Sequence, residues 1–445
     1  MKRSVWTVLA VVVALGISLV PTLGAGAQAT SDSEVGVTGD TIRIAVIADV
    51  DNAARPGLFE GSVNGVKAFA KYINSKAGGG GLAGRKVQVD FIDSKLSPDD
   101  ARSALIQACE NDFAIVGTTA LFLSNIQPMT ECVDKAGAAT GLPDVPILQT
   151  ELAHQCNPIS FPIIAGALDC TTKDQHPQTY TARNGQITQF QGKQHKDLHG
   201  SFLIPQDLKS TINATLPVIA GVEKAGVKND DEFRISGQAT QAEYGPIATS
   251  LKQNNSTYFY NGSDYKANLS VRREAKIQGV TSVEVWDCSL ACYDSRTISE
   301  GGTDVEGQNV NIFFIPFEEA KQNAAVDAFM KNIGGRSKAD GFGAQAFVAG
   351  LFFRDVVNKI VDADGENGLT RAKFLETARG MHDFSAEVDG DSMIGKTDVG
   401  AHKANGCFMT MQIKNGKYVR VFPKKKGTLN CNADNTSQVQ LDLEL

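Results

Sequence analysis

Short apolar runs rich in β-branched residues alternate with longer segments of helical hydrophobic spacing in the first third of the chain. The predicted strands are 42–49, 86–93, 113–117 and 145–149, and the predicted helices between them are 58–76, 98–111 and 121–136. The second helix has Ser97 as a cap, Pro98 at its first position and two acids in its first turn, which is typical of a helix start. Strands that alternate with helices in this way form a parallel sheet covered by helices.

The same alternation begins again after residue 200. The predicted strands are 201–205, 232–236, 257–260, 282–286 and 309–315, and the predicted helices are 210–225, 244–254 and 266–278. Two longer helices follow at 318–333 and 341–361, and a β-rich tail contains a hairpin turn at Asn415-Gly416. The pattern therefore predicts an α/β fold with two parallel-sheet units of similar size.

The N-terminus has the features of a secretory signal peptide. Lys2 and Arg3 precede a short apolar run, and the small residues Ala27 and Ala29 form a cleavage pattern. We predict a signal peptide at 1–29, cleavage after Ala29, and a periplasmic or secreted location. An uncleaved N-terminal anchor is the alternative. No cysteine lies near the predicted cleavage point, so we expect no lipid anchor there.

Composition excludes several classes of protein. With 42% hydrophobic and 21% charged residues, the 445-residue chain is not largely disordered. A mean hydropathy of −0.15 excludes a polytopic membrane protein. A net charge of −7 and a pI near 5.5 argue against a protein that binds nucleic acid.

The eight cysteines all lie beyond the predicted signal peptide. An even number of cysteines in an exported chain favours disulfides, although sequence alone leaves their connectivity open. They fall into four neighbouring pairs, which we predict to be bonded: Cys109–Cys132, Cys156–Cys170, Cys288–Cys292 and Cys407–Cys431. The alternative is a zinc site, but only Cys288 and Cys292 have suitable spacing, and they have no second pair of ligands.

The motifs that resemble catalytic or cofactor-binding patterns do not fit their required contexts. The glycine run 79–84 matches the pattern of a dinucleotide-binding loop, but it ends a helix and precedes a strand, which is the reverse of that loop's setting. The acidic stretch 362–366 lacks the glycine and the final glutamate of a calcium loop. Neither G-x-S-x-G nor H-E-x-x-H occurs. We therefore predict no enzyme activity, no cofactor and no metal.

Two exported α/β units suggest a clamshell, because the crevices at the carboxyl ends of two parallel sheets can face each other and close on a small ligand. Several passages, in their order along the chain, then resemble one family. They are 42–46, 61–84 with Ile73-Asn74 and its glycines, Asp93-Ser94 with Pro98 and Ala101, 115–117, 145–147, 341–361 and 395–402. Through these passages the chain resembles the type I periplasmic solute-binding proteins, the branched-chain amino acid receptors of ABC importers.

The resemblance implies two Rossmann-like lobes joined by three crossings. We place the crossings near 180–183, 315–319 and 393–403. Lobe 1 is then expected at 37–180 plus 318–395, lobe 2 at 181–317 plus 396–425, and a C-terminal tail at 426–445.

The resemblance also implies that loops after the third and fourth strands of lobe 1 hold the ligand. Thr118 and Thr119 lie where the predicted helix 121–136 begins, so free N–H groups and a hydroxyl there suit a carboxylate. The alternative is that either threonine only caps its helix. The next loop carries Gln149, Thr150 and Glu151. Thr150 matches a hydroxyl position of the family, whereas Gln149 and Glu151 are longer and more polar than the family's small residues.

Glu151 suits a ligand ammonium or faces solvent, and Asp49 lies in an unusually charged loop after the first strand. On lobe 2 the resemblance implies an aromatic wall and an acid. The residues at the strand ends there are Gln206, Tyr244, Tyr265 and Asp287, with Asp264 and Tyr293 as further candidates. The alternative for each is packing or a place on the rim.

The function predicted is that of the extracytoplasmic binding protein of an ABC importer, capturing a small polar, amino-acid-like solute by closure. Its expected partners are the solute and ABC permease subunits, with no nucleic acid, and the expected state is a monomer. One alternative is a ligand-sensing receptor module of the same fold. Another is a secreted α/β hydrolase, which the missing nucleophile motif disfavours.

Overall fold

The computed structural model describes residues 34–53, 55–190, 195–403 and 405–444. The predicted signal peptide lies outside the described residues. Two parallel sheets organise this part of the chain, as the sequence predicts, and we call the four-stranded sheet with its helices lobe 1 and the seven-stranded sheet with its helices lobe 2.

Lobe 1 is built from the first strands and helices of the chain. These are β1 (Thr41–Ala48), α1 (Glu60–Asn74), β2 (Lys86–Asp93), α2 (Pro98–Asn111), β3 (Ala114–Val116), α3 (Gln127–Thr130), β4 (Asp144–Val145) and α4 (Leu152–Gln155). The strands pair in parallel in the order β2-β1-β3-β4. Because helices cover both faces of such a sheet, its central strand reads as a continuous apolar run, and five residues from Ile44 to Ala48 are fully buried.

The chain then crosses to lobe 2 through β5 (Gln178–Arg183) and α5 (Gly185–Phe190). Lobe 2 continues with β6 (His199–Pro205), α6 (Lys209–Lys224), β7 (Lys228–Ile235), α7 (Gly245–Gln253), β8 (Tyr258–Asn261), α8 (Tyr265–Ile277), β9 (Val285–Cys288), α9 (Ser295–Gly301) and β10 (Asn309–Ile312). Strands β7, β6, β8, β9 and β10 are parallel neighbours in that order.

The chain returns to lobe 1 and then crosses again to lobe 2. Its last strand pairs with β5 in the first crossing. The remaining elements are α10 (Ala324–Ile333), α11 (Gly341–Asp364), α12 (Arg371–Arg379), β11 (Glu387–Val388), β12 (Asp391–Ser392), β13 (Met409–Lys414), β14 (Lys417–Phe422) and β15 (Thr436–Leu441). The antiparallel hairpin β13–β14 extends the sheet of lobe 2 beyond β10. Its turn at Asn415 and Gly416 has positive φ at both residues, which confirms the predicted hairpin turn.

The core of lobe 1 depends on a close approach between α1 and α11. A Cβ added to Gly65 would lie 2.2 Å from the carbonyl oxygen of Gly343 and 2.9 Å from the Cβ of Ala346. Glycine at this position lets the two backbones pack directly, which holds α11 over the sheet.

One predicted helix is wrong, because the segment 121–136 forms only the single turn α3. The backbone N–H of Leu121 donates to the buried side chain of Asp49, which fixes the start of the segment in a non-helical path. Pro128 lies at the start of α3, where a proline removes no hydrogen bond of the helix. The structure also contains α12, which the hydrophobic pattern did not predict.

The four predicted disulfide pairs are all formed: Cys109–Cys132, Cys156–Cys170, Cys288–Cys292 and Cys407–Cys431. Each bond joins cysteines that are neighbours along the chain. The predicted zinc alternative for Cys288 and Cys292 is therefore wrong.

The predicted C-terminal tail is part of the crossing region. Its strand β15 pairs antiparallel with β5 along six residues, and the Cys407–Cys431 disulfide links the segment before it to β13. No helix in the described part of the chain has the length and apolar character needed to cross a membrane.

Candidate functional site

A cavity of about 230 Å³ lies between the two lobes beside the first crossing. Lobe 1 lines it with residues of the loops after β3 and β4, and lobe 2 lines it with the start of α6. The lining residues are Phe122, Thr150, Glu151, Leu152, Gln155, Leu168, Tyr180, Leu208, Lys209, Ser210 and Asn213. Contributions from both lobes and from a crossing make this cavity the candidate ligand site.

Asp49 does not face the cavity; it organises the loops around it. Its buried carboxylate accepts hydrogen bonds from the hydroxyl of Ser94 at 2.6 Å and from the N–H groups of Leu96 and Leu121 at 2.8 Å. Burial raises the pKa of Asp49, and these three donors oppose that change. The residue thus ties together the loops that follow β1, β2 and β3.

No helix begins at Thr118 and Thr119, so the free N–H groups expected of a helix start are not found there. The hydroxyl of Thr118 donates to Asp144 at 2.6 Å, and the N–H of Thr119 donates to the carbonyl of Ile47 at 2.9 Å. Both threonines are buried. The hydroxyl of Thr118 is therefore committed to the core of lobe 1, whereas the buried hydroxyl of Thr119 has no hydrogen-bond partner within the described residues.

Asp144 is the centre of a buried polar cluster beneath this loop. His154 lies 2.7 Å from one carboxylate oxygen of Asp144, and Ser160 donates to the same oxygen at 2.9 Å. A hydrolytic triad requires the histidine to contact the serine, whereas here both side chains contact one carboxylate. The cluster therefore supports the fold of lobe 1 and does not favour the hydrolase alternative.

Of the three residues predicted in the loop after β4, Thr150 and Glu151 line the cavity, and Gln149 does not. Thr150 donates to the carbonyl of Leu121 at 3.2 Å, which joins two of the cavity-lining loops. Gln149 is buried beside it and donates to the carbonyl of His154 at 2.8 Å. Glu151 is the one carboxylate among the described residues that line the cavity.

On lobe 2, the cavity is lined by residues that follow Gln206 rather than by Gln206 itself. Gln206 is exposed at the end of β6, and the lining starts with Leu208, Lys209 and Ser210 at the beginning of α6. Leu208 occupies the N-cap position without a side-chain hydrogen bond to the helix. The missing cap was visible in the sequence, since a leucine stands where Ser, Thr, Asp or Asn is usual.

Tyr244 and Asp264 lie at a second contact between the lobes. Arg55, in the loop between β1 and α1, places its Nε 2.8 Å from a carboxylate oxygen of Asp264. Burial raises the pKa of Tyr244. Asp264 in addition caps α8 by accepting from the N–H of Ala267. The carboxylate of Asp264 is thus fully engaged by groups of this chain.

Asp287 is buried inside lobe 2, away from the cavity lining. It accepts from the hydroxyl of Tyr258 at 2.9 Å and from the side-chain amide of Asn311 at 2.7 Å. Burial raises the pKa of Asp287 to about 7. The residue belongs to a polar network within the sheet.

Tyr265 and Tyr293 are packing residues as well. The hydroxyl of Tyr265 donates to Glu300 at 3.2 Å beneath the guanidinium of Arg296, and burial raises the pKa of Tyr265 to about 12. Tyr293 is fully buried and donates to Glu318. Neither ring lines the cavity, so the predicted aromatic wall is not built from them.

Tyr180, which the sequence placed at the first crossing but not in the site, lines the cavity from β5. The side chain is 3% exposed, and its hydroxyl has no hydrogen-bond partner within the described residues. Its position depends on the pairing of β5 with β15. These strands are far apart in sequence, since Gln178 pairs with Leu441, more than 250 residues later. No local pattern indicates such a pairing.

Comparisons with known proteins agree with this architecture. The family described as "Periplasmic binding protein" matches residues 41–417. Among curated proteins, none matches the chain.

Three solved structures with the same fold differ in what their names say they bind. A branched-chain amino acid ABC transporter protein from Thermus thermophilus with bound valine has a TM-score of 0.68 at 10% identity, over 89% of this chain and 98% of that one. A leucine binding protein from Thermotoga maritima has a TM-score of 0.63 at 16% identity, over 88% of this chain and 99% of that one. A fatty acid ABC transporter substrate-binding protein from Thermomonospora curvata has a TM-score of 0.64 at 14% identity, over 88% of this chain and 97% of that one. These likenesses confirm the predicted fold.

Proposed function

The chain belongs to the periplasmic binding protein family, and from that premise we propose that it is the substrate-binding component of an ABC importer. It captures a small polar, amino-acid-like solute by closing its two lobes. A family of binding proteins also agrees with the prediction that the chain is not an enzyme. We propose the lobe boundaries that the sequence predicts, which are 37–180 plus 318–395 for lobe 1 and 181–317 plus 396–425 for lobe 2.

The observation that carries this proposal is the cavity that both lobes line beside the first crossing. A ligand that contacts both lobes stabilises the closed form by its difference in affinity for the closed and open forms. The cavity has apolar walls formed by Phe122, Leu152 and Leu208, and a few polar groups among them. This combination is typical of sites for small molecules.

The location and partners follow from the same premise. We place the mature protein outside the cytoplasm after cleavage behind Ala29, where the closed form would dock as a monomer on ABC permease subunits. The fold offers two faces that change their relative position on closure, which is what a permease requires to distinguish loaded from empty protein.

The test is a thermal-shift and calorimetric screen of the mature chain. The panel contains branched-chain and aromatic amino acids, their amides, and short- and medium-chain carboxylates. We expect at least one class to raise the melting temperature and to reduce the radius of gyration measured by small-angle scattering. The absence of both effects across the whole panel would contradict the proposal.

A further inference from the structure

A second, much smaller cavity lies where the three stretches of chain that run between the lobes come together, and we call it the hinge cavity. Arg183 ends β5, Phe313 and Phe314 follow β10, and Ile394 and Thr397 precede β13, so each stretch contributes to its wall. Its volume is about 10 Å³. This is room for about one water-sized particle, and it excludes an amino acid.

The hinge cavity contains a positive charge and no negative one. Arg183 is the one charged side chain among the described residues that line it. Its Nε donates to the carbonyl of Asn405 at 3.2 Å, and its Nη2 donates to the carbonyl of Ala165 at 3.3 Å. The guanidinium also lies 5.3 Å from the ring centroid of Phe313. These partners are all neutral, so the charge of Arg183 is not balanced at the cavity.

Other buried arginines of this chain have acidic neighbours. Arg272 likewise donates to two backbone carbonyls, but the carboxylates of Asp304 and Glu306 oppose the lowering of its pKa by burial. Three acids do the same for Arg371. Burial lowers the pKa of Arg183 to about 10, and no carboxylate opposes that change. Because buried charges are normally paired, Arg183 lacks a counter-charge that the chain itself does not supply.

Three unpartnered donor groups line the hinge cavity. They are the Nη1 of Arg183, the side-chain amide of Gln345 and the hydroxyl of Thr397, and none has a hydrogen-bond partner within the described residues. Gln345 and Thr397 are each 5% exposed. Their polar atoms are nevertheless not among the unpartnered atoms that are sealed from solvent, so a particle in the cavity can reach them. Buried polar groups are normally hydrogen-bonded, so three free donors at one cavity indicate a ligand that accepts from them.

We propose that the hinge cavity binds a single-atom anion such as chloride, held by the Nη1 of Arg183, the amide of Gln345 and the hydroxyl of Thr397. A water molecule fits the same space, but it does not balance the charge of the guanidinium. The inference goes beyond the proposed function, because it concerns a second ligand at a separate place: the hinge cavity and the 230 Å³ cavity share no lining residue.

The first experiment measures the melting temperature of the full mature chain in sodium chloride, sodium bromide and sodium gluconate at equal ionic strength. Gluconate is too large for the hinge cavity. We expect chloride and bromide to raise the melting temperature by about 2–4 °C relative to gluconate, as expected for an ion that binds only the folded chain. The increase should saturate with halide concentration, because it reflects the filling of one site.

Variants of the donors place the effect at the hinge cavity. Arg183→Met and Gln345→Leu should each remove most of the halide-dependent increase, and Thr397→Val should reduce it. Arg183→Lys keeps the positive charge and should retain part of the increase. Arg272→Met is the matched control, since it removes an arginine with acidic neighbours and should leave the increase unchanged. Gln345→Leu alters no charge, so it tests the site even where Arg183→Met does not fold.

Crystals of the mature chain grown in sodium bromide locate the ion directly. We expect an anomalous peak of bromide in the hinge cavity beside Arg183. A water molecule there without anomalous signal, equal melting temperatures in bromide and gluconate, or a halide effect that Arg183→Met and Gln345→Leu both retain would each overturn the inference. None of these results bears on solute binding, which the ligand screen tests separately. A screen without any binding solute would likewise leave the halide result in place.

Discussion

The guanidinium of Arg55 on lobe 1 lies 2.8 Å from the carboxylate of Asp264 on lobe 2, so the two lobes are joined by an ion pair across their cleft. Both side chains are about one-fifth exposed. The pair exists only when the lobes are close together. It therefore stabilises the closed form in addition to any contribution from a ligand.

Breaking this ion pair should open the clamshell. We expect Arg55→Gln to weaken the closed form by about 1 kcal/mol, which is the upper range for partly exposed pairs and corresponds to about a five-fold change in the open–closed equilibrium. Small-angle scattering of the ligand-free variant should show a larger radius of gyration, and ligand affinity should fall. Arg43→Gln, which breaks the pair with Asp90 inside lobe 1, is the control. Unchanged scattering and affinity in Arg55→Gln would show that the pair does not govern closure.

The sequence predicted the lobes better than the site, for a physical reason. A strand such as β1 is buried on both faces of its sheet, so most of its residues are apolar and the strand can be recognised as a local apolar run. Nearest-neighbour cysteine pairing was likewise correct for all four bonds. Site residues depend instead on contacts between distant parts of the chain, which no local pattern contains.

Two residues illustrate the difference. Leu121 has helical hydrophobic neighbours, but its N–H is held by Asp49 from 72 residues away, and the predicted helix is lost. Tyr180 reaches the cavity because β5 pairs with the last strand of the chain. Asp287 and Tyr265 looked like strand-end ligands and proved to be bonded inside lobe 2.

Removing the Cys407–Cys431 disulfide should cost more stability than removing Cys288–Cys292. The first bond closes a segment of 24 residues and the second a segment of 4, so the first restricts the unfolded chain more. The loop-entropy relation gives a loss of about 3 kcal/mol for the paired Cys→Ser variant at 407 and 431, and about 2 kcal/mol for the pair at 288 and 292. Urea denaturation of both variants measures the difference. A larger loss from the shorter loop would mean that packing, and not chain entropy, dominates.

The contact between α1 and α11 should not tolerate an added methyl group. Gly65→Ala places its Cβ against the carbonyl of Gly343, and neither backbone can move without shifting a helix. We expect a loss of about 2–3 kcal/mol in the free energy of unfolding. Gly380→Ala, at the C-cap of α12, meets no atom closer than 3.4 Å and serves as the matched control. Equal stability of the two variants would contradict the close packing.

Asp287 should make the protein less stable as the pH rises. Burial raises its pKa from the ordinary 3.8 to about 7, so between these values the folded chain holds a proton that the unfolded chain has released. The stabilisation from this group is therefore complete below about pH 4, falls as the pH rises to about 7, and is lost above that value.

Asp287→Asn should remove this dependence, with a difference between wild type and variant on the order of 3 kcal/mol across the range. Urea denaturation at pH 4.5 and pH 8 tests it. Asp174→Asn, which changes a carboxylate that is 83% exposed, is the control. A wild type and an Asp287→Asn variant with the same pH dependence would show that Asp287 is already charged at low pH.

Glu151 should decide whether the cavity prefers a ligand with an ammonium group. It is the one carboxylate among the described residues that line the cavity. Asp264, at the second contact between the lobes, is already bonded to Arg55 and to the N-terminus of α8. If Glu151 contacts the ammonium, Glu151→Gln should weaken the binding of leucine by about ten-fold. The binding of 4-methylpentanoate, which is leucine without its ammonium group, should not change, because only leucine carries the positive charge. Calorimetry with the two probes measures this selectivity, and Glu131→Gln, on lobe 1 outside the cavity lining, is the control. An equal loss for both probes would show that Glu151 shapes the cavity without contacting an ammonium.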